Sequence, residues 1–188
     1  MKIVEKSYKW NGTLAKRKAT DYIILHHRAG NGDADSIHAG HLSQGWTGIG
    51  YHFYVRKDGS VYRGRPIEII GAHCTGKNSC SIGICFEGNF ENETMTAAQL
   101  KAGKELVSYL KGLYPSAEIK RHKDFQSTAC PGRNFPFEEI KKGDNVMTVN
   151  EAVEIIKNKA GLEDETIEFL LCYKYGEDLV KKLAKGMK

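Results

Sequence analysis

Two short apolar segments constrain the fold of this chain more than any other feature of its sequence. Residues 22–27 (YIILHH) and 81–87 (SIGICFE) are each entered from polar residues, which is the pattern of buried β-strands. Between them, residues 57–60 (KDGS) separate the β-rich runs 51–56 and 61–63. Asp-Gly at that place predicts a hairpin, because glycine tolerates the positive φ of such a turn.

Helical segments alternate with these strands. Thr96 and Gln99 have the spacing of a capping box, which marks the start of a helix. An apolar stripe at Leu100, Val107, Leu110 and Tyr114 continues that helix. Residues Glu118–Arg121 are expected to form a last strand. This order of strands and helices predicts an α/β fold in which helices flank a central mixed β-sheet.

The polar sequence KKGDN at residues 141–145 marks a domain boundary. We expect a first domain at residues 1–142 and a small helical domain at 146–188. Thr148 and Glu151 form a second capping box, and apolar residues at helical spacing predict three helices after it. A unit of this size is near the lower limit for independent folding. We therefore expect it to lean on the first domain or to self-associate.

The composition excludes several classes of protein. No apolar run approaches the roughly 20 residues of a membrane span, and the N-terminus lacks the apolar stretch of a signal peptide. We expect a cytoplasmic protein in the producing cell, without membrane insertion. The five cysteines are an odd number and argue against a disulfide framework, although Cys74 and Cys80 flank one polar loop. Cys85 lies in an apolar run and is expected to be buried.

The formal net charge of +5 is weak evidence about partners. A basic surface suits a polyanion such as nucleic acid or a phosphate-rich cell wall. A solvated surface of mixed charge explains the same excess, and we expect no nucleic-acid partner.

Three parts of the sequence carry metal-binding side chains. His26 and His27 end the first apolar strand, His122 lies in RHKDF, and Cys130 lies in TACPG. Zinc binds imidazole nitrogen and thiolate sulfur well, and a catalytic zinc typically has three protein ligands. Successive strand side chains point to opposite faces, so only one of the paired histidines is expected to reach a metal. His38 and His41 also have a metal-pair spacing, but we expect both to face solvent.

Four stretches carry a resemblance to a known family: IILHH, GIGYHFYVRKDGSVYRGR, GAHCTGKNSCSIGICFEGN and RHKDFQSTACPG. In order and spacing they resemble the N-acetylmuramoyl-L-alanine amidases of type 2, the family of bacteriophage T7 lysozyme and the peptidoglycan recognition proteins. The resemblance covers about residues 21–137. It implies a zinc-dependent enzyme that cuts the amide bond between N-acetylmuramic acid and the first L-alanine of peptidoglycan.

The resemblance also implies site residues. His26, His122 and Cys130 match the zinc ligands, with His27 as the rival of His26. Tyr51 matches a catalytic tyrosine that can donate a hydrogen bond to an oxyanion. Thr128 stands where the T7 enzyme has a lysine and catalytic recognition proteins have threonine, so it can donate a hydrogen bond but supplies no charge.

Other positions have a less defined role. His73 and Asn78 match a loop beside the substrate groove and are candidate substrate contacts, with a purely structural role of the loop as the alternative. Glu87 could assist water activation or be a hydrogen-bonded structural carboxylate, and His52 is expected to be structural.

The resemblance and the missing signal sequence together suggest a phage or prophage endolysin that acts on the cell wall after release. A bacterial autolysin or recycling amidase is one alternative, and a peptidoglycan-binding module without activity is another. Cys130 favours an enzyme, because relatives that only bind usually lose that ligand. The C-terminal helices could target the wall, form a homo-oligomer or stabilise the first domain.

Overall fold

The computed structural model describes residues 1–143 and 149–187 of the 188-residue chain. The chain divides into two compact units, Met1–Asp144 and Asn145–Lys188. Part of the linker proposed at residues 141–145, and Thr148 of the second capping box, lie outside the described residues.

A six-stranded mixed sheet forms the centre of the first unit, in the order β1-β4-β3-β5-β2-β6. Only β3 and β4 pair antiparallel, and they flank the turn that contains Gly59, whose φ is +84°. The other neighbours are parallel. The strands are β1 (Ile3–Val4), β2 (Tyr22–His27), β3 (Phe53–Val55), β4 (Val61–Arg63), β5 (Ser81–Phe86) and β6 (Glu118–Arg121). The predicted α/β class with a mixed sheet is confirmed.

The described residues of this unit form three α-helices: α1 (Ala34–Ser43), α2 (Ala97–Leu113) and α3 (Phe137–Lys142). The hydroxyl of Thr96 caps α2 by accepting the backbone N–H of Gln99, as the capping-box spacing predicts. The apolar stripe of α2 then enters the main core together with residues of the sheet. Fully buried members of that core include Ile23, Leu25, Ile82, Ile84, Leu106 and Leu110. Burial of each such side chain contributes about 1.5–3 kcal/mol.

Strand β2 has β5 on one side and β6 on the other. In this register His26 lies opposite Cys85 of β5, and Leu25 lies opposite Arg121, the last residue of β6. Because the three strands are parallel, their C-terminal ends meet at one edge of the sheet. The residues that follow β6 are thereby brought beside the end of β2.

Within residues 149–187, the second unit consists of α4 (Val149–Ala160), α5 (Asp164–Leu171) and α6 (Gly176–Gly186). Its buried core consists of small and aliphatic side chains: Ala152, Ile156, Ile167, Val180 and Ala184. Three aromatic residues of this unit are largely exposed: Phe169, Tyr173 and Tyr175. Across the described ranges of the chain, none of the helices has the length and apolar character needed to span a bilayer.

Candidate metal centre and active site

Side chains of His26, His122 and Cys130 converge at the C-terminal edge of β2 and β6. One possible ligand atom from each lies within 4.8 Å of the others. His26 Nδ1 is 3.9 Å from Cys130 Sγ, and the His26 and His122 rings are 4.5 Å apart. With ordinary bond lengths, nitrogen and sulfur ligands of a tetrahedral zinc are about 3.6 Å apart. Two imidazoles and one thiol at these separations fit a zinc ion.

The backbone explains how residues so distant in sequence meet. His26 is a residue of β2 and is fully buried. His122 follows β6 directly and begins a one-turn 3-10 helix, His122–Asp124. The N–H of Lys123 donates to the carbonyl of Cys130 over 3.0 Å, and the N–H of His27 donates to Cys130 Sγ over 3.4 Å. These two bonds hold the loop that carries Cys130 against the ends of both strands.

Burial sets the protonation of the three side chains. It lowers the pKa of His26 well below the usual value, and the nearby His122 lowers it further. Burial also lowers the pKa of His122, so both rings favour the neutral form that binds metals. Burial raises the pKa of the Cys130 thiol to about 11, and a bound cation reverses that preference because it stabilises the thiolate.

The structure separates His26 from His27. His27 Nδ1 accepts the N–H of Phe90 over 3.2 Å, and its ring stacks on Phe90 with ring centres 6.3 Å apart. His27 is therefore on the side of the sheet that faces Phe90, whereas His26 faces His122 and Cys130. The alternation of side chains along β2 accounts for this difference.

Tyr51 lies two residues before β3 and its ring is 5.2 Å from that of His26. Burial raises the pKa of Tyr51 well above its usual value, and the nearby thiols of Cys85 and Cys130 act in the same direction. The phenol therefore stays protonated and can donate a hydrogen bond beside the candidate metal centre.

Thr128 is exposed, and its Oγ1 accepts the N–H of Cys130 over 3.2 Å. This bond shapes the loop that carries the thiol. The hydroxyl proton of Thr128 is not used in that bond and can be donated.

The two candidate substrate contacts have clear partners inside the protein. Asn78 Oδ1 accepts the N–H groups of His73 and Cys74 over 2.8 and 2.9 Å, so it stabilises its own loop. The ring of His73 is buried, and its Nδ1 is 3.0 Å from His26 Nε2. His73 thus lies beside His26 in the protein interior, and a contact of either His73 or Asn78 with substrate stays a prediction.

The prediction that His38 and His41 face solvent is wrong. His38 is 7% exposed, donates to the carbonyl of Lys9 and accepts the N–H of Ile49. His41 is partly buried, with its ring 4.5 Å from Trp46 and 5.9 Å from Tyr51. Residues three apart share one helix face. In α1 this face packs against Lys9, Ile49 and Trp46.

His41 and the half-exposed Trp46 therefore lie next to the candidate site, which the sequence reasoning missed. In the sequence, only the spacing that places His38 and His41 on one helix face could have indicated that His41 lies next to the candidate site.

Several other expectations concern side chains around the site. The carboxylate of Glu87 accepts the N–H groups of Gly32 and Lys57 and pairs with Arg56, which is the structural alternative considered for it. His52 is buried and accepts the N–H of Gly83, again a structural role. All five cysteines are free thiols, and Cys85 is fully buried as expected.

Comparisons with known proteins identify relatives of this chain. The family profile described as N-acetylmuramoyl-L-alanine amidase matches residues 16–133. Peptidoglycan-recognition protein SC2 of Drosophila simulans is 40% identical over 161 residues, covering 76% of this chain and 86% of the relative. The endolysin of Enterobacteria phage K11 is 35% identical, covering 62% of this chain and 83% of the relative.

A solved structure, the N-acetylmuramoyl-L-alanine amidase LysC from Clostridium intestinale URNW, is 45% identical with a TM-score of 0.73. The alignment covers 76% of this chain and 96% of the LysC chain. The match of the family profile ends before the second unit begins.

Proposed function

The chain belongs to the N-acetylmuramoyl-L-alanine amidase family, and from this premise we propose that it is a zinc-dependent amidase of the endolysin type. Its substrate is the amide bond between N-acetylmuramic acid and L-alanine in bacterial peptidoglycan. The observation that supports the proposal best is the convergence of His26, His122 and Cys130 beside the protonated phenol of Tyr51. The endolysin relative from phage K11 and the Clostridium amidase support the same reaction.

The donor set suits zinc, since two neutral imidazoles and a thiolate leave one of four positions open to water or substrate. Bound zinc would polarise the scissile carbonyl and lower the pKa of a water molecule to about 7. The chain's own residues then act on the reacting amide. Tyr51 donates a hydrogen bond to the carbonyl oxygen as negative charge develops there. Thr128 provides a second donor that carries no charge.

The alternative function is a module that binds peptidoglycan without cutting it, because recognition proteins are among the relatives. The full set of three metal-binding side chains supports cleavage, since binding alone has no need for them. As an endolysin the protein would act on the cell wall after release from the producing cell.

The test combines metal analysis with product analysis. We expect about one zinc per chain and release of free N-terminal alanine from purified cell walls. Cys130→Ala should lose zinc and activity together. The matched control is Cys172→Ala, which removes an exposed thiol of the second unit and should change neither. Full activity in metal-free protein would refute the zinc mechanism, and zinc binding without alanine release would support the binding module.

A further inference from the structure

The ring of His73 contacts His26 at the ring nitrogen that does not face Cys130. His26 directs Nδ1 towards Cys130 Sγ, at 3.9 Å, and Nε2 towards His73 Nδ1, at 3.0 Å. Both rings are buried, so no solvent competes for the bond between them. A neutral imidazole carries one N–H, and a 3.0 Å contact between two ring nitrogens requires one of them to donate.

The hydrogen bonds of Ser81, at the His73 end of this pair, fix the direction of donation. Ser81 Oγ donates its proton to the carbonyl of Lys77 over 2.6 Å, so towards His73 Nε2, at 3.5 Å, it can only accept. His73 then carries its proton on Nε2 and offers Nδ1 as an acceptor. His26 must donate from Nε2, which leaves a lone pair on Nδ1 facing Cys130.

We propose that His73 is a positioning residue that holds His26 in the tautomer whose Nδ1 is free to bind the metal. The inference rests on the proposed zinc site and adds to it the group that prepares its first ligand. Hydrogen-bond partners of this kind orient metal-binding histidines, and their loss typically weakens metal affinity about 10–100-fold.

Gly71 and Gly83 leave the space that the His73 ring occupies. A Cβ added to Gly83 would lie 2.5 Å from Cγ of the His73 ring, and one added to Gly71 would lie 2.5 Å from its Cδ2. No real side-chain carbon comes so close, so an alanine at either position must displace the ring. Neither glycine has a positive φ, so the backbone itself tolerates alanine there. The sequence thus leaves room for an imidazole in this position.

The first test measures the tautomer of His26 in the metal-free wild-type protein, with long-range proton–nitrogen NMR correlations. We expect the proton on Nε2 and none on Nδ1. A proton on Nδ1 would overturn the proposal, and this result does not depend on whether the protein binds zinc.

The second test measures zinc affinity by competition with a chelator in a pair of variants of nearly equal shape. His73→Leu removes the acceptor and should weaken zinc binding about 10–100-fold. His73→Asn restores an acceptor oxygen near the position of Nδ1 and should recover most of the affinity. Equal affinity of wild type and His73→Leu would overturn the proposal. Failure of the wild type itself to bind zinc would instead overturn the proposed function.

The third test moves the ring without changing any metal-binding or hydrogen-bonding group. Gly83→Ala should weaken zinc binding because its new methyl group displaces His73. Gly112→Ala, an exposed position of α2 with open space around it, is the matched control and should leave the affinity unchanged. An unchanged affinity in folded Gly83→Ala protein would contradict a positioning role for the ring.

Discussion

The two units of the chain differ most in what they bury. All seven histidines lie in the first unit, and His26, His52 and His73 are buried there close to the sheet. The described core of the second unit contains only alanine, isoleucine and valine. Buried polar groups need hydrogen-bond partners that are held in fixed positions. The six-stranded sheet of the first unit provides such positions by bringing distant parts of the sequence together.

The second unit instead carries its distinctive side chains outside, with Phe169 77% and Tyr173 69% exposed. Exposed aromatic residues are typical of contact surfaces. The proposed chemistry thus depends on the interior of the first unit, while the exposed aromatic residues of the second unit suit it to contact with another surface. We propose that this contact is with the cell wall or with a second copy of the chain.

The largest effect is expected from Tyr51→Phe, which tests whether the chemistry depends on the first unit. It removes one hydroxyl from the first unit and should lower turnover by roughly 10²–10³, because a donor to the oxyanion is lost. Zinc content and fold should stay the same. Thr128→Val should cost less, since Thr128 is exposed and already accepts the N–H of Cys130. Turnover on soluble muropeptide measures both, and wild-type turnover in Tyr51→Phe would remove Tyr51 from the mechanism.

A pair of core substitutions tests whether the two interiors are independent. Leu106→Ala and Ile156→Ala each truncate a fully buried side chain, one in each unit. Each should lower the free energy of unfolding of its own unit by about 2–5 kcal/mol. Only Leu106→Ala should also destabilise the zinc site. Urea denaturation with zinc release as a second signal measures this, and early zinc release in Ile156→Ala would show that the units are coupled.

Removal of the second unit tests its proposed contact role. A chain that ends at Gly143 keeps the residue whose N–H caps α3, so it should fold, bind zinc and cleave soluble muropeptide. Its lysis of intact walls should be several-fold weaker, because the second contact that raises local concentration is gone. Unchanged lysis would refute wall targeting, and loss of zinc binding would make the second unit part of the catalytic domain.

The smallest expected effect concerns acid stability. Burial acts to raise the pKa of Glu87, but the N–H groups of Gly32 and Lys57 and the guanidinium of Arg56 outweigh it and lower the pKa. The contribution of Glu87 to stability is therefore present above the usual pKa of a glutamate. It is lost as pH falls through that value towards the lowered one.

Denaturation of the first unit at a series of acidic pH values measures this loss. Glu87→Gln should make the loss of stability in acid shallower, and the exposed Glu139→Gln is the matched control. The acid response of the second unit should be the same in both variants. An unaltered acid response in Glu87→Gln would show that the three hydrogen bonds do not stabilise the carboxylate.

The sequence predicted those features that depend on local pattern or on motif. The apolar run of β2, the Asp-Gly turn and the capping box of α2 each have a short-range cause. The prediction that His26, His122 and Cys130 converge rests on the family motifs, because spacing alone leaves His26 and His27 as alternatives. Their separation follows from which face of β2 packs on Phe90, a contact between residues 63 apart.

The remaining features depend on packing that no local pattern contains. His38 is buried because the segment with Tyr8 and Trp10 covers α1, with the Tyr8 and His38 rings stacked 4.3 Å apart. His73 meets His26 across 47 residues of chain, through a loop that Asn78 shapes. Helical or strand periodicity gives no information about such contacts, so the sequence predicts neither the burial of His38 nor the contact of His73 with His26.

The place of β2 between β5 and β6 also bears on how the protein is made. The ribosome delivers His26 first, and Cys130 follows 104 residues later. At about 5–20 residues per second, this interval lasts about 5–20 s. For most of that time β2 lacks β6, and until its end the nascent chain lacks the thiol of the proposed zinc site. The proposed zinc site is therefore complete only after most of the first unit has been translated, and a chain interrupted before Cys130 lacks one of its three ligands.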